Sequence, residues 1–216
     1  MPNIRMIFWD YGRVLFDHHT DVFVEELARL SQSRLKPYEV YAKINGQGTI
    51  RRYDAGEITT SEFMNEMRTL LGFEDLDGFI ALWHRILRPN RLVWKAVTAL
   101  SRNGYSQGVI SNTNELQAEY IEKVLACGAI TQFRPRIYSY LERFSKPDSM
   151  IYLVSLVRAR VEHEWDRILL PEECVFIDDL VENVESAREC GWHAIHHNPG
   201  FVYATIAKLA ELGVRI

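Results

Sequence analysis

The stretch MIFWDYGRVLFD, residues 6–17, decides the fold of this chain. Its first four residues form an apolar run that predicts a short buried strand, and Asp10 follows that run directly. In many proteins a carboxylate at the end of a strand only forms a turn or caps a helix. Asp10 becomes a candidate for chemistry because three further polar signals follow it in order along the chain.

Each of these later signals closes or follows another apolar run. They are Ser111-Asn112, Lys146-Pro147 and Asp178-Asp179. A carboxylate can attack phosphorus, a small hydroxyl and a cation can hold phosphoryl oxygens, and further carboxylates can hold a divalent metal. The four signals together therefore predict aspartyl-phosphate chemistry with Asp10 as the nucleophile.

Each later signal also has an ordinary structural interpretation when it is taken alone. Ser111 opens a turn-rich stretch, and most lysines, such as Lys146, are simply solvated. The adjacent acids Asp178 and Asp179 repel one another at the end of a buried run, and a bound cation removes that cost. Mg²⁺ needs only two or three protein oxygens, although one acid can instead cap the following helix.

Apolar runs and helical patterns alternate along most of the chain. Strands are predicted at 5–9, 108–111, 137–141, 174–177 and 194–196, and helices at 94–102, 116–127, 149–160, 184–190 and 202–212. This α/β alternation predicts a parallel sheet covered by helices on both faces. Ligands bind such sheets beyond the carboxyl ends of strands, which is where Asp10, Ser111 and the acid pair fall.

The segment from about residue 17 to residue 90 breaks this alternation. It holds no convincing strand, and helices are predicted at 22–30, 38–44, 62–71 and 76–86. Thr59 and Glu62 form a capping-box signature before the third of these helices. We therefore expect a core at 1–16 and 90–216 with a helical insertion at 17–89. The insertion is either a lid beside Asp10 or an appendage remote from the site.

The composition is that of a soluble globular protein, with 216 residues, 47% hydrophobic and 25% charged. A formal charge of −4 makes nucleic acid an unexpected partner. No apolar stretch approaches the roughly 20 residues of a membrane span, and the first apolar run is too short for a signal peptide. Three single cysteines without a CxxC pair indicate reduced thiols, so a cytoplasmic location is expected. The pattern does not predict an oligomeric state.

The four signals, in this order and at these spacings, resemble the motifs of the haloacid dehalogenase superfamily of phosphatases and phosphotransferases. Residues 10–17 match the first motif, Ser111-Asn112 the second, Lys146-Pro147 the third, and Asp178-Asp179 with Asn183 the fourth. The insertion resembles the small helical cap of that family. Residues 52–59 (RYDAGEIT) resemble the cap segment of bacterial sugar-1-phosphate phosphatases and of the N-terminal phosphatase domain of soluble epoxide hydrolases.

This resemblance implies a Rossmann-like core and a Mg²⁺-assisted phosphoryl intermediate on Asp10. The metal ligands that it implies are the Asp10 carboxylate, the Gly12 carbonyl and Asp179, with Asp178 and Asn183 as supporting or partial ligands. It assigns phosphate binding to Ser111, Asn112 and Lys146. The expected activity is hydrolysis of a phosphomonoester of a small phosphorylated metabolite, such as a sugar phosphate.

The chain departs from the family pattern at two adjacent positions. Gly12 stands where most phosphatases of this superfamily carry a second Asp, and Arg13 stands where glycine is usual. That Asp protonates the leaving oxygen and then activates water, and losing such a group costs about 10²- to 10⁴-fold in rate.

Three explanations of the missing acid stay open. A good leaving group, such as an anomeric phosphate, needs little protonation, and this is the leading explanation. Alternatively, Asp17, His18 or His19 supplies the proton, or the chain binds phosphorylated ligands with weak or no turnover. A metal-independent 2-haloacid dehalogenase is a separate alternative, but the pair Asp178-Asp179 would then stay unneutralised.

Two other groups of residues attract attention in the sequence. Arg51, Arg52, Tyr53, Trp83 and His84 lie in the insertion and could reach over the site, although surface charge and amphipathic packing also explain them. His193, His196 and His197 fit a last strand and its exit loop, so they are interpreted as structural.

Overall fold

A central sheet of five parallel strands organises the molecule, for which a computed structural model describes residues 2–31, 35–125, 129–163, 165 and 167–216. The strands of the chain are β1 (Met6–Trp9), β2 (Phe16–His18), β3 (Leu87–Pro89), β4 (Ser106–Ser111), β5 (Phe133–Tyr138), β6 (Cys174–Asp178) and β7 (His193–His196). The sheet has the order β5-β4-β1-β6-β7, and all its neighbours are parallel. The predicted α/β sheet is therefore confirmed, with β1 at its centre.

Helices cover both faces of this sheet, and further helices form the insertion. The helices of the described chain are α1 (Thr20–Leu30), α2 (Pro37–Gly46), α3 (Thr49–Asp54), α4 (Thr60–Leu71), α5 (Leu76–Arg85), α6 (Arg91–Arg102), α7 (Glu115–Tyr120), α8 (Ser139–Glu142), α9 (Ser149–Glu162), α10 (Val181–Glu189) and α11 (Val202–Glu211). One π-helical turn at Ile121–Leu125 extends α7. The predicted end of that helix, at Cys127 and Gly128, lies outside the described residues.

Alternation along β1 explains why the sheet is buried on both sides. Ile7 and Trp9 belong to one hydrophobic cluster with residues of α6 and α11, whereas Met6 and Phe8 belong to another with residues of α9. Successive side chains of a strand point to opposite faces, so one strand contributes to both clusters. Both faces of the sheet are thus covered, and its carboxyl edge is where functional side chains can gather.

The edge strand β5 lies earlier than predicted. A strand was expected at 137–141, but β5 ends at Tyr138 and residues 139–142 form α8. The sequence FRPRIY alternates buried and exposed positions, and its charged residues and Pro135 hide the apolar pattern. Proline is tolerated there because β5 is an edge strand.

Five helices, α1–α5, lie between two short antiparallel strands, β2 and β3, which join them to the sheet. The expectation that no strand occurs at 17–90 was wrong at both ends of the segment, because three-residue strands are too short to show alternation. The predicted capping box of Thr59 and Glu62 is present at the start of α4. Within the described ranges, no helix is both long and apolar enough to cross a membrane.

Candidate active site

The carboxyl ends of three adjacent strands bring the predicted polar residues together. Asp10 follows β1, Ser111 ends β4 and Asp178 ends β6, and β1 pairs with both of the other strands. The Asp10 backbone N–H also donates to the carbonyl oxygen of Ile177 at 3.0 Å. A cavity of about 220 Å³ opens at this edge, and its lining includes Asp10, Gly12, Ser111, Asn112, Lys146, Asp179 and Asn183.

Lys146 is the centre of the polar cluster. Its Nζ atom lies 2.7 Å from Asp10 Oδ1 and 2.6 Å from Asp178 Oδ2, and it donates to the Ile110 carbonyl oxygen at 3.1 Å. Only 2% of the lysine side chain is exposed. Burial opposes the charge, but Asp10 and Asp178 outweigh that effect and raise the pKa of Lys146. The cation is therefore fixed between two carboxyl groups.

Asn112 holds the loop that carries Lys146. The Lys146 backbone N–H donates to Asn112 Oδ1 at 2.8 Å, and Asn112 Nδ2 donates to the Lys146 carbonyl oxygen at 2.9 Å. Both ends of the side-chain amide are occupied in this way. We therefore propose that Asn112 assists phosphate binding through its backbone and by positioning Lys146, while the Ser111 hydroxyl stays the predicted side-chain donor.

Asp178 is a supporting residue by its contacts. Its carboxylate accepts hydrogen bonds from Asn183 Nδ2 at 3.0 and 3.1 Å and from the Leu180 backbone N–H at 2.8 Å, in addition to Lys146. The side chain is completely buried. These contacts stabilise the charge and orient Lys146 toward Asp10, as expected for a buried carboxylate with paired oxygens.

Three carboxyl groups are close enough to share a cation. Within the described ranges, Asp10, Asp178 and Asp179 form the one group of histidine, cysteine and acidic side chains that fits a metal ion, with ligand atoms within 4.8 Å of one another. Oxygen donors alone are the preferred environment of Mg²⁺. Since Asp178 is already satisfied by other donors, Asp10 and Asp179 are the carboxylates with capacity left for a metal.

The pKa of Asp10, the candidate nucleophile, depends mainly on its burial. Burial above all, and then Asp178, raise the pKa of Asp10 to about 7, although Lys146 opposes the rise. Burial and Asp178 also raise the pKa of Asp179, and Arg13 opposes that effect. Additional positive charge would favour the ionised form of both carboxyl groups.

Arg13 reaches into the site through its side chain. Its Nε atom lies 3.0 Å from Asp179 Oδ2, while 60% of the arginine side chain remains exposed. The backbone of Arg13 has φ 56°, in the left-handed region that non-glycine residues rarely adopt. This residue therefore places a cation on a predicted metal ligand, a contact that the sequence could not show because the two residues are far apart in the chain.

The space beside Gly12 is taken by His18. A Cβ atom at position 12 would lie only 3.0 Å from His18 Nε2. Of the three residues considered as substitutes for the missing acid, His18 lines the site cavity, whereas Asp17 accepts a hydrogen bond from Asn90 and His19 precedes α1. Burial and then Arg13 lower the pKa of His18 to about 4, so its ring is neutral at neutral pH.

The residues of the insertion that the sequence suggested could reach over the site lie in several different environments. Tyr53 is buried on Phe63, Arg52 pairs with Glu66 at the surface, and His84 stacks on Tyr120. Trp83 and Arg51 instead line cavities beside the site.

The three histidines near the last strand do not form a metal cluster in the described structure. His197 Nδ1 lies 2.8 Å from Thr205 Oγ1, and His196 Nε2 lies 2.9 Å from the Asp179 carbonyl oxygen. His196 thus lies behind the site as a support. Cys174 and Cys190 are free thiols, and Cys127 lies outside the described residues.

Comparison with solved structures identifies the fold. An enzyme of the haloacid dehalogenase (HAD) family from Bacteroides thetaiotaomicron superposes with a TM-score of 0.77 at 21% identity, over 94% of this chain and 98% of that chain. The same enzyme in complex with magnesium and inorganic phosphate gives a TM-score of 0.74 at 22% identity, over 91% and 96%. A predicted HAD-like hydrolase of Porphyromonas gingivalis gives 0.77 at 20%, over 96% and 98%.

Sequence comparisons add little to this identification of the fold. No protein-family model matches the chain. Acyl-CoA dehydrogenase family member 10 of Mus musculus is 26% identical over 151 residues, which cover 67% of this chain but only 13% of the mouse protein. The structural similarity confirms the expected fold, so this chain has the Rossmann-like fold of the haloacid dehalogenase enzymes.

Proposed function

We propose that this chain, with the fold of the haloacid dehalogenase enzymes, is a Mg²⁺-dependent phosphomonoester hydrolase acting on a small phosphorylated metabolite. The observation that carries the proposal is the buried Lys146 ammonium, held between Asp10 and Asp178 beside a cavity that Asp179 also lines. A buried cation and several carboxyl groups around one open space suit a dianionic phosphoryl group with a divalent metal.

Asp10 is the proposed nucleophile. Its Oδ1 atom is held by Lys146, so the carboxylate is oriented and its charge is stabilised in the cavity. A bond forms between a carboxylate oxygen and phosphorus, and the phosphorus–oxygen bond to the organic group breaks, which leaves an aspartyl phosphate. Water then attacks the same phosphorus, so inorganic phosphate leaves and the Asp10 carboxylate is restored.

The phosphoryl oxygens are proposed to contact the Ser111 hydroxyl, the Asn112 backbone and the Lys146 ammonium, all at the edge of the cavity. Asp10, Asp179 and the Gly12 carbonyl would hold Mg²⁺, which when bound neutralises charge on the transferred phosphoryl group. The solved Bacteroides enzyme, in complex with magnesium and inorganic phosphate, supports this assignment by its shared fold.

The leaving group has no carboxylic acid at position 12 to protonate it. His18 fills the neighbouring space, and a neutral imidazole is a weak proton donor. We therefore propose that the substrate has a leaving group stable without protonation, such as the anomeric oxygen of a sugar phosphate. The helical insertion would serve as the lid that covers this group.

The test is phosphate release from a panel of phosphorylated metabolites and acetyl phosphate, with and without Mg²⁺. We expect turnover at ordinary enzyme rates, about 1–10³ s⁻¹ on the best substrate, and its loss in Asp10→Asn and on removal of Mg²⁺. Asp148→Asn is a matched control, because Asp148 is an exposed acid that caps α9.

Three results would contradict the proposal. Unchanged turnover in Asp10→Asn would remove the nucleophile from the mechanism. Ligand-dependent thermal stabilisation without turnover would instead indicate a phospho-ligand binding protein. Halide release from a 2-haloacid without metal would indicate a dehalogenase.

A further inference from the structure

A second cavity of about 300 Å³ adjoins the site, and we call it the inner chamber. It shares His18, Asn112 and Gln117 with the lining of the site cavity, so the two spaces meet at these residues. Its volume is at the lower end of small-molecule pockets. Given the proposed function, a phosphomonoester with its phosphoryl group beside Asp10 has room for its organic group here.

The wall of the inner chamber combines apolar surface with side-chain amides. Its apolar part consists of Phe23, Val24, Ile44, Ile50, Trp83 and Ile86. The amides of Asn45, Asn112, Asn114 and Gln117 form part of its polar surface, although Asn112 is already bonded to Lys146 and Asn114 to Asp54. No lysine or arginine belongs to the described lining. Arg51 and Arg143 instead line a neighbouring cavity of about 560 Å³, which also contacts the other side of Asp54 and Asn112. A second anionic group in the inner chamber would therefore have no cation to pair with.

Asp54 is the one carboxyl group in this lining. Asn114 Nδ2 donates to its Oδ1 atom at 2.7 Å. Across the described part of the chain, Asn114 is the one donor to this side chain, and no ion pair neutralises it. A carboxyl group with accepting capacity to spare, at the wall of a cavity, is incompletely satisfied by the protein.

The fold holds Asp54 firmly against the core. Its carbonyl oxygen accepts a hydrogen bond from the Ser139 hydroxyl, and the neighbouring Tyr53 hydroxyl accepts one from the Leu116 backbone N–H at 3.3 Å. Gly56 has φ 69°, and a Cβ atom there would lie 2.3 Å from the Tyr140 carbonyl oxygen. The close backbone approach at Gly56 fixes the end of α3, so Asp54 is positioned before any ligand arrives.

We infer that the inner chamber selects an organic group that carries hydroxyls and no negative charge, and that Asp54 determines this specificity by binding one hydroxyl. An anionic group would face the Asp54 carboxylate without a compensating cation, and a purely apolar group would leave that carboxylate unsatisfied. A sugar-like ring presents both C–H surface and hydroxyls, which matches the mixed wall.

The protonation of Asp54 agrees with this selection. Burial raises the pKa of Asp54 to about 7, and the hydrogen bond from Asn114 only partly opposes the rise. The carboxyl group can then accept a hydrogen bond from a hydroxyl or donate one to it at neutral pH.

The experiment compares three phosphorylated compounds with matched variants in the presence of Mg²⁺. The compounds are a hexose phosphate, the corresponding hexonate phosphate, and acetyl phosphate. In the unmodified chain we expect a higher kcat/KM for the hexose phosphate than for the hexonate phosphate. Asp54→Asn should lower that value by about tenfold or more, from the loss of a charged hydrogen bond, and change acetyl phosphate turnover by less than about twofold.

Glu25→Gln removes an exposed carboxylate from the same insertion and should change no value. The inference is overturned if Asp54→Asn leaves hexose phosphate turnover intact, if it lowers all three rates equally, or if the unmodified chain prefers the hexonate phosphate. If acetyl phosphate and every other compound resist hydrolysis, the proposed function fails separately. In that case thermal stabilisation by hexose phosphate tests the inference. Stabilisation of the unmodified chain that is lost in Asp54→Asn supports it, whereas equal stabilisation of both proteins, or none of either, contradicts it.

Discussion

Replacing Lys146 with methionine removes the cation and keeps most of the side-chain volume. The Lys146 ammonium contacts Asp10 at 2.7 Å and Asp178 at 2.6 Å, and only 2% of its side chain is exposed. Removing one partner of a buried ion pair costs about 3–5 kcal/mol, because the remaining charge stays buried without a partner. For a chain of this size, about 2–4 °C is lost per kcal/mol, so Tm should fall by roughly 6–20 °C.

The loss of stability in Lys146→Met should be larger at high pH than at low pH. Asp10 has its folded-state pKa raised by burial to about 7, and removing Lys146 raises it further. A carboxyl group whose folded pKa is raised stabilises the fold at low pH and loses that contribution as pH rises through the folded pKa. The deficit of Lys146→Met should therefore be larger at about pH 8 than at about pH 5.5.

Thermal unfolding at both pH values measures this effect. Lys95→Met serves as the control, because Lys95 is exposed on α6 and its replacement should change stability by about 0.5 kcal/mol or less. Added Mg²⁺ should restore part of the stability of Lys146→Met. If Lys146→Met unfolds at the same temperature as the unmodified chain at both pH values, the ammonium does not hold the two buried carboxylates as described.

Three further predictions concern the groups around this cation. Arg13→Gly frees Asp179 and relieves the positive φ. Calorimetry should then show Mg²⁺ binding roughly threefold to fivefold more tightly, as expected for an ion pair whose arginine is largely exposed. Unchanged affinity would mean that Arg13 does not compete with the metal. Thermal stabilisation by Mg²⁺ should be larger at about pH 8 than at about pH 5.5, because protons compete with the metal for Asp10, and stabilisation that does not vary with pH would contradict this. Gly12→Asp with His18→Ala places a carboxylic acid in the space that His18 vacates, and should raise kcat on alkyl phosphates by about tenfold or more, whereas no gain would show that the missing acid does not limit turnover.

The sequence was sufficient to predict that the polar residues at strand ends lie close together. Parallel strands expose their carboxyl ends on one edge, so Asp10, Ser111 and Asp178 could be expected to meet once their strands were recognised. Strand β5 was misplaced because charged residues and a proline interrupt its apolar pattern on the sheet edge. The helix α3 was not predicted, because six residues are too few to show a helical period.

Side-chain contacts between residues far apart in the chain could not be predicted from the sequence alone. The sequence indicates a lysine before a proline, but not that its ammonium is buried between two carboxyl groups. It identifies Arg13 as a departure from the family pattern, but not its contact with Asp179. Asp54 reads as an ordinary acid in a short helix, because nothing local marks a carboxyl group that lines a cavity.

The most direct test of Asp10 as the nucleophile is to acid-quench the protein during turnover of acetyl phosphate with Mg²⁺ and to map the modified peptide by mass spectrometry. We expect one phosphoryl group on Asp10, absent when Mg²⁺ is withheld and absent in Asp10→Asn. Steady turnover with the phosphoryl group on another residue, or with none trapped at any time, would contradict the proposal that Asp10 attacks phosphorus.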